Sequence, residues 1–265
     1  MEYVVIKCGG SIFSQLPPAF YRNIAELHKD GVQPVLVHGG GPLISQTLSQ
    51  LHVETQFVDG LRVTTEDVLE VAEMVLSGSM NKQLVRQLQL QGGKGFGLSG
   101  VDGGLLQAVP AEKLSLGYVG TVEKVEVSIL DNLFSQGFIP VISPIGMDQS
   151  GQKYNINADV AAAAIAQALQ AKLCYISDIP GILVEKNGKT VVLHETTSSQ
   201  IEQLIVDGTI TGGMIPKVRS ALQALENEVP ETVILNGLEP YSLLSFYQGK
   251  AVGTKISLHS EVKYV

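Results

Sequence analysis

Residues 35–43 read VLVHGGGPL. An apolar run passes a histidine, spends three consecutive glycines and reaches a proline. Glycine in a folded segment costs conformational entropy, so such a triplet belongs where the backbone turns sharply or comes close to something. Proline suits the first position of a helix, because the N–H it lacks would have no helical partner there. The stretch therefore predicts a buried strand over 35–37, a tight turn at 39–41, and a helix from Pro42 to about Leu51. The free N–H groups and positive dipole end of such a helix favour an anion. VVIKCGGS at 4–11 repeats the pattern: a strand, a lysine, two glycines. Ligands of open α/β sheets bind beyond the carboxyl ends of the strands, so both turns are placed to face one anionic group from two sides.

The same alternation continues down the chain. Strands are predicted at 3–7, 34–37, 138–143, 173–177 and 232–235. Helical patterns lie at 18–30, 127–136, 158–170, 199–207 and 217–225. Thr64, with Asp67 three residues on, has the form of a capping box opening a helix to about Leu76. EKNGKTV (185–191) centres on Asn187-Gly188, a strong hairpin pair. Near-continuous apolar strands alternating with helices predict an α/β fold, with a mostly parallel sheet covered on both faces. No linker, repeat or low-complexity stretch divides the 265 residues, so a single domain is expected, with 45% hydrophobic residues to build its core.

A formal net charge of −8 argues against a general nucleic-acid or anionic-membrane binder. Cys8 and Cys174 lie in apolar segments without CxxC spacing, which points to buried thiols in a reducing compartment. No signal peptide or membrane-spanning run is read, so a soluble, cytoplasmic protein is expected. The five histidines form no metal-like pair on one helix face, and a structural hydrogen bond is the expected role of His38. Residues 95–100 fit GxGxxG, but the strand before and helix after that a dinucleotide fingerprint needs are missing, so chance or turn chemistry is expected there. Gly188-Lys189-Thr190 resembles the end of a P-loop, whose earlier glycine would fall at Leu183.

Several polar groups resist a purely structural reading. Two asparagines and an aspartate, Asn155, Asn157 and Asp159, open an alanine-rich helix. One asparagine suffices as the cap, and Asp159 complements the dipole, which leaves a side chain to spare for a ligand. SDIPGIL (177–183) leaves a strand through a turn. TGGMIPK (211–217) puts Lys217 in the first turn of a helix, where its charge opposes the dipole. Arg62, in DGLRVT, suits bidentate recognition of a carboxylate. No base accompanies a serine or cysteine nucleophile. Phosphoryl transfer to a hydroxyl needs a base, whereas a carboxylate acceptor is already ionised. What remains is bringing anions together and neutralising the moving charge.

Taken together, IKCGGS, VHGGGP, DGLRVT, LGYVG, YNINAD, SDIPGIL and TGGMIPK, in that order over about residues 3–256, resemble the amino acid kinase family. The resemblance implies a three-layer αβα sandwich around a central, mostly parallel sheet. About residues 1–170 would serve the acceptor and dimer contacts, and 171–265 the nucleotide. It further implies ATP-dependent phosphorylation of the side-chain carboxylate of N-acetyl-L-glutamate, an early step of arginine biosynthesis. Lys7 and Lys217 would stabilise the transferring group from opposite sides, and Asp159 would hold both lysines. Gly40 and Gly41 would lie at the acceptor's side-chain carboxylate and the phosphoryl group. Arg62 would hold its α-carboxylate, and Asn155 the acylated amino acid. Gly9 and Gly10 would contact the nucleotide's phosphates. Asp178, Ile179, Pro180, Gly181, Ile182 and Leu183, with Thr209, Ile210 and Thr211, would line the ATP site. Magnesium would ride on ATP without a protein cage.

The resemblance also implies a homodimer. Arginine-inhibited members carry a helix before the first strand, whereas this sequence opens Met1-Glu2-Tyr3, so strong arginine feedback is not expected. Cys8 stands where leucine is common in the family, and a site sensitive to thiol reagents is one expectation from it. A sibling kinase acting on an acylated aminoadipate, aspartate or carbamate, and a non-catalytic nucleotide or amino-acid sensor, stay open as alternatives.

Overall fold

A strand buried on both faces needs helices above and below it, and the first strand is of that kind: Val4, Val5 and Ile6 are all fully buried. The computed structural model describes residues 2–186 and 188–258. β1 (Glu2–Cys8) leads to α1 (Pro18–Lys29), β2 (Val32–His38), α2 (Gly41–Gln50) and a ribbon of β3 (Phe57–Val58) and β4 (Leu61–Arg62). A long helical run follows, made of α3 (Glu66–Glu73), a π-helical stretch (Met74–Met80) and α4 (Asn81–Leu90). Next come β5 (Gly95–Ser99), β6 (Leu106–Pro110), β7 (Val119–Val125), α5 (Val127–Ser135), β8 (Ile139–Ser143), β9 (Ile145–Met147), β10 (Lys153–Ile156) and α6 (Ala158–Leu169). The C-terminal part holds β11 (Lys172–Ser177), β12 (Leu183–Lys186), β13 (Lys189–Val192), β14 (Glu195–Thr197), α7 (Ser198–Val206), α8 (Met214–Glu226), β15 (Thr232–Asn236), α9 (Ser242–Tyr247) and β16 (Thr254–Ser257).

Eight strands form one sheet in the order β14-β16-β15-β11-β1-β2-β8-β5. Every neighbouring pair is parallel except β15 and β16. Val5 and Val37 face a core completed by Leu130 of α5, Ile165 of α6 and Ala221 of α8. Val4 and Ile6 face the opposite core, with Ile24 of α1, Leu84 of α4 and Leu243 of α9. The three-layer αβα architecture is therefore present. Because the strands run parallel, their carboxyl ends gather on one edge, where the glycine turns leave them.

Four features depart from the sequence-based expectation. β6, β7, β9 and β10 close into a small barrel beside the main sheet; their runs are too short for the alternation in β6 and β10 to stand out in the sequence. The capping box expected at Thr64 and Asp67 does not form; the N-cap lies one residue further on. Thr65 is the N-cap, its Oγ1 accepting from the Val68 N–H at 3.4 Å, while Thr64 is fully buried and engaged elsewhere. The helical path does not stop near Leu76 but runs through the π stretch to Leu90. Residues 95–99 are strand rather than turn: β5 is an edge strand against β8. A side chain at Gly97 would run into Asn81 Oδ1, so that glycine lets α4 sit close on the strand. β12 and β13 pair antiparallel, as the hairpin reading requires; its Asn187 lies outside the described residues.

Candidate active site

β1 and β2 end in step, with Cys8 opposite His38, and the Gly39 N–H donates to the Cys8 carbonyl at 3.1 Å. The two glycine turns thus leave the sheet side by side. A Cβ on Gly10 would lie 3.0 Å from Gly40 Cα and 3.1 and 3.2 Å from the Gly40 and Gly41 nitrogens. On its other side, a Cβ on Gly40 would lie 2.6 Å from Leu76 Cδ2 and Met80 Sδ. Backbone meets backbone here, which only residues without side chains permit. A cleft of about 220 Å³ opens over the junction, and Lys7, Gly10, Gly40, Gly41, Arg62, Asn155 and Asp159 all line it.

Lys7 sits near the carboxyl end of β1, on the face that carries α6. Its ammonium pairs with Asp159 in the first turn of α6 at 2.9 Å. Asn157 is the N-cap of that helix, its Oδ1 accepting from the N–H groups of Asp159 at 2.8 Å and Val160 at 3.4 Å. Asn155 is thereby left free of capping, and its Nδ2 donates to Thr64 Oγ1 at 3.2 Å. Thr64 Oγ1 in turn donates to the Arg62 carbonyl at 2.9 Å. Sequence reasoning took Thr64 for a helix cap and missed this link between Asn155 and the β4 strand.

Arg62 is 8% exposed. Nη2 donates to the Gly41 carbonyl at 3.1 Å and to Ser45 Oγ at 2.7 Å, and the guanidinium lies 4.6 Å from the Phe57 ring centroid. Nη1 is buried without any hydrogen-bond partner, and no carboxylate pairs with this arginine among the described residues. Burial draws its pKa down. A buried, unmatched guanidinium donor costs free energy unless a ligand satisfies it, and a carboxylate has the matching geometry.

A second cluster stands at the carboxyl end of β11. Lys217 Nζ donates to Ser177 Oγ at 2.9 Å and lies 3.5 Å from Asp178 Oδ1. The carboxyl of Asp178 is held below its ordinary range, first by its own backbone N–H and then by the charge of Lys217. Asp159 was expected to hold both lysines; in this structure it pairs with Lys7, while Lys217 bonds to Ser177 and lies beside Asp178. Ser177, buried at 3% exposure, was not singled out from the sequence; a serine closing an apolar strand gives no pattern. Lys217 does not line the 220 Å³ cleft, but α8 and Asp159 border a common groove of about 490 Å³. Of the expected nucleotide residues, Gly10 lines the cleft and Gly9 does not. Asp178, Ile179, Pro180, Gly181, Ile182 and Leu183 form the link from β11 into β12, with the Ile182 side chain in the core and its N–H donating to Thr254 Oγ1 at 2.8 Å. Thr209 and Thr211 are exposed just before α8, and the Ile210 side chain is buried between them.

The Amino acid kinase family model matches residues 2–236. An acetylglutamate kinase of Oceanobacillus iheyensis is 48% identical over 266 residues, covering the full length of both chains. One of Geobacillus stearothermophilus is 49% identical, covering 97% of this chain and 98% of its own. Among solved structures, that of smu.665 from Streptococcus mutans UA159 superposes with a TM-score of 0.80 at 30% identity, covering 97% of this chain and 99% of its own.

Two predictions follow from buried groups beside the cleft. Cys8 and Cys174 are fully buried, and burial pushes the Cys8 thiol up to about 12. Sensitivity to thiol reagents, which Cys8 suggested in the sequence, is therefore not expected, since the thiolate is the reactive form. An aromatic disulfide reagent should detect no fast-reacting thiol in the native protein and both cysteines after unfolding; fast native labelling of Cys8 would contradict this. Burial likewise holds the His38 imidazole down at about 4, against an ordinary 6.5. The unfolded chain then takes up a proton that the folded one refuses, so stability falls as pH drops from about 6.5 toward 4, by roughly 3 kcal/mol at the limit. Urea melts of wild type and His38→Asn across that window should show this loss in wild type alone.

Proposed function

The chain belongs to the amino acid kinase family, and from that membership we propose that it transfers the γ-phosphoryl group of ATP to the side-chain carboxylate of N-acetyl-L-glutamate. The observation that carries the proposal is the buried Arg62 Nη1 donor, which has no partner among the described residues, in a cleft shared with the Lys7–Asp159 pair and the Gly40–Gly41 turn. The acceptor's α-carboxylate takes the free Nη1 donor. Asn155, steadied by Thr64, hydrogen-bonds the acylated amino group. The side-chain carboxylate then points at the N–H groups of Gly40 and Gly41. It is ionised at neutral pH and needs no base. The task left to the protein is to hold two anions in line and to neutralise charge as it moves from the leaving to the attacking oxygen.

Lys7 and Lys217 perform that neutralisation from two sides. Asp159 fixes Lys7, and Ser177 with Asp178 keeps Lys217 until the nucleotide draws it in. The N-terminal part, to about residue 170, serves the acceptor. The C-terminal part supplies the nucleotide site through Asp178–Leu183 and Thr209–Thr211, while Gly9 and Gly10 contact its phosphates. Magnesium is assigned to the nucleotide's phosphates, as the family resemblance implies, and no step is routed through a protein-held ion. No helix among the described residues is long and apolar enough to cross a membrane; a cytoplasmic homodimer completes the reading.

Hydroxylamine trapping of the acyl phosphate, with ATP and either N-acetyl-L-glutamate, glutamate, aspartate or N-acetylaminoadipate, tests the reaction. Signal with N-acetyl-L-glutamate alone is expected; signal with a different acceptor alone would reassign the substrate. Arg62→Ala should raise the acceptor KM about 10²-fold by removing a buried charge-assisted contact, with kcat less affected. Lys217→Ala should lower kcat about 10²–10³-fold and leave acceptor KM within a few-fold. The reverse pattern would overturn these two roles while leaving the reaction intact.

A further inference from the structure

His38 closes β2 immediately before the glycine turn, and it is fully buried. Its Nδ1 lies 3.2 Å from the Gly39 carbonyl, and its Nε2 lies 3.3 Å from Asn81 Nδ2. Asn81 opens α4 and is itself fully buried. Its Nδ2 carries two N–H groups: one donates to the Val141 carbonyl at 2.8 Å, and the other is shared between His38 Nε2 and the Leu98 carbonyl, both at 3.3 Å, while Oδ1 accepts from Lys82 Nζ at 3.0 Å. The lysine fixes which end of the Asn81 amide is oxygen, so the end facing the imidazole is the NH2 group. A donor facing Nε2 makes that nitrogen the acceptor and puts the ring proton on Nδ1, aimed at the Gly39 carbonyl. The low pKa of the ring agrees with a neutral imidazole.

A trans peptide points its C=O and its N–H in opposite directions. Tethering the Gly39 carbonyl toward the buried imidazole therefore turns the Gly40 N–H the other way. On that side lies Gly10, whose absent Cβ would come 3.1 Å from the Gly40 nitrogen, and the cleft that holds Lys7 and Arg62. Asn81 anchors the arrangement to two strands at once, through Val141 of β8 and Leu98 of β5.

We propose that Asn81 and His38 are positioning residues for phosphoryl transfer, a buried relay that sets the Gly39–Gly40 peptide so that the Gly40 N–H faces the acceptor carboxylate and the group it receives. The inference rests on the functional reading above. It adds that the orientation of one backbone donor is set from the side away from the substrate, by residues that never touch it. Because the donor acts on charge that develops during transfer, its misorientation lowers turnover more than binding.

The test combines two readouts. Asparagine at position 38 places an amide N–H close to where histidine has Nδ1–H, whereas glutamine reaches the Nε2 position instead. His38→Gln should lower kcat about 10²-fold with both KM values within a few-fold, and His38→Asn should keep kcat within about tenfold of wild type. In wild-type protein, two-bond ¹H–¹⁵N spectra of the histidine rings at pH 7 should show the His38 ring protonated at Nδ1 and bare at Nε2, a readout that requires no turnover. A ring protonated at Nε2, equal losses in both variants, or an effect confined to KM would each overturn the inference. Wild-type protein inactive with N-acetyl-L-glutamate would overturn the functional reading itself, a failure distinct from those three.

Discussion

Gly10 and Gly40 approach so closely that a methyl group on either would displace backbone or core, and the chemistry of the molecule is arranged around that contact. It exists because β1 and β2 are neighbouring parallel strands in register and both must turn away from the sheet at the same level. Their carboxyl ends deliver one lysine and two sets of backbone N–H groups to one spot. The first turn of α6 adds Asp159 from the flank, because α6 crosses the face of β1. The long helix behind Gly40 closes the rear through Leu76 and Met80. Substitution on either side of the junction therefore acts on the sheet and the site together.

The electrostatics follow a simple division. Lys7 has a carboxylate partner at 2.9 Å, which holds it in place and offsets part of its charge, and it lines the cleft with ammonium donors that Asp159 does not occupy. Arg62 is held by neutral groups, a carbonyl, a hydroxyl and a ring face, which orient the guanidinium and leave its charge unspent. Lys217 rests on a hydroxyl and an exposed carboxylate on the other side. A site assembled this way is suited to two anionic reactants that repel one another. It has no need of a general base, which agrees with a carboxylate acceptor and with the neutral, buried state of the one histidine nearby.

Much of this was legible in the sequence, for physical reasons that can be named. Strands buried on both faces carry near-continuous apolar runs at their centres, with polar residues only toward their ends, so β1, β2, β8, β11 and β15 read directly. Glycine pairs after such strands mark turns at the sheet edge, and the cap of α6 was narrowed to Asn155 or Asn157. What could not be read were contacts made across large sequence separations by residues with ordinary local roles. Asn81 lies in a long helical run, and nothing local shows that its amide bonds to Leu98, Val141 and His38. Ser177 closes a strand, and only the fold brings Lys217 to it, 40 residues later. Thr64 carried a capping pattern that its neighbour Thr65 satisfies. The barrel of β6, β7, β9 and β10 was hidden because strands of three to seven residues give too few positions for their alternation to stand out. The literal GxGxxG match proved to be a strand whose middle glycine admits α4.

The central claim is that the carboxylate oxygen itself attacks phosphorus in this cleft. Supplying N-acetyl-L-glutamate with both side-chain carboxylate oxygens as ¹⁸O, together with ATP and hydroxylamine, tests it in one step. Hydroxylamine attacks the acyl carbon and expels phosphate with the bridging oxygen attached. The account predicts released phosphate carrying one ¹⁸O per molecule, seen as an isotope shift in the ³¹P spectrum. Phosphate free of label would mean that water, and not the acceptor, takes the phosphoryl group, and would contradict the account.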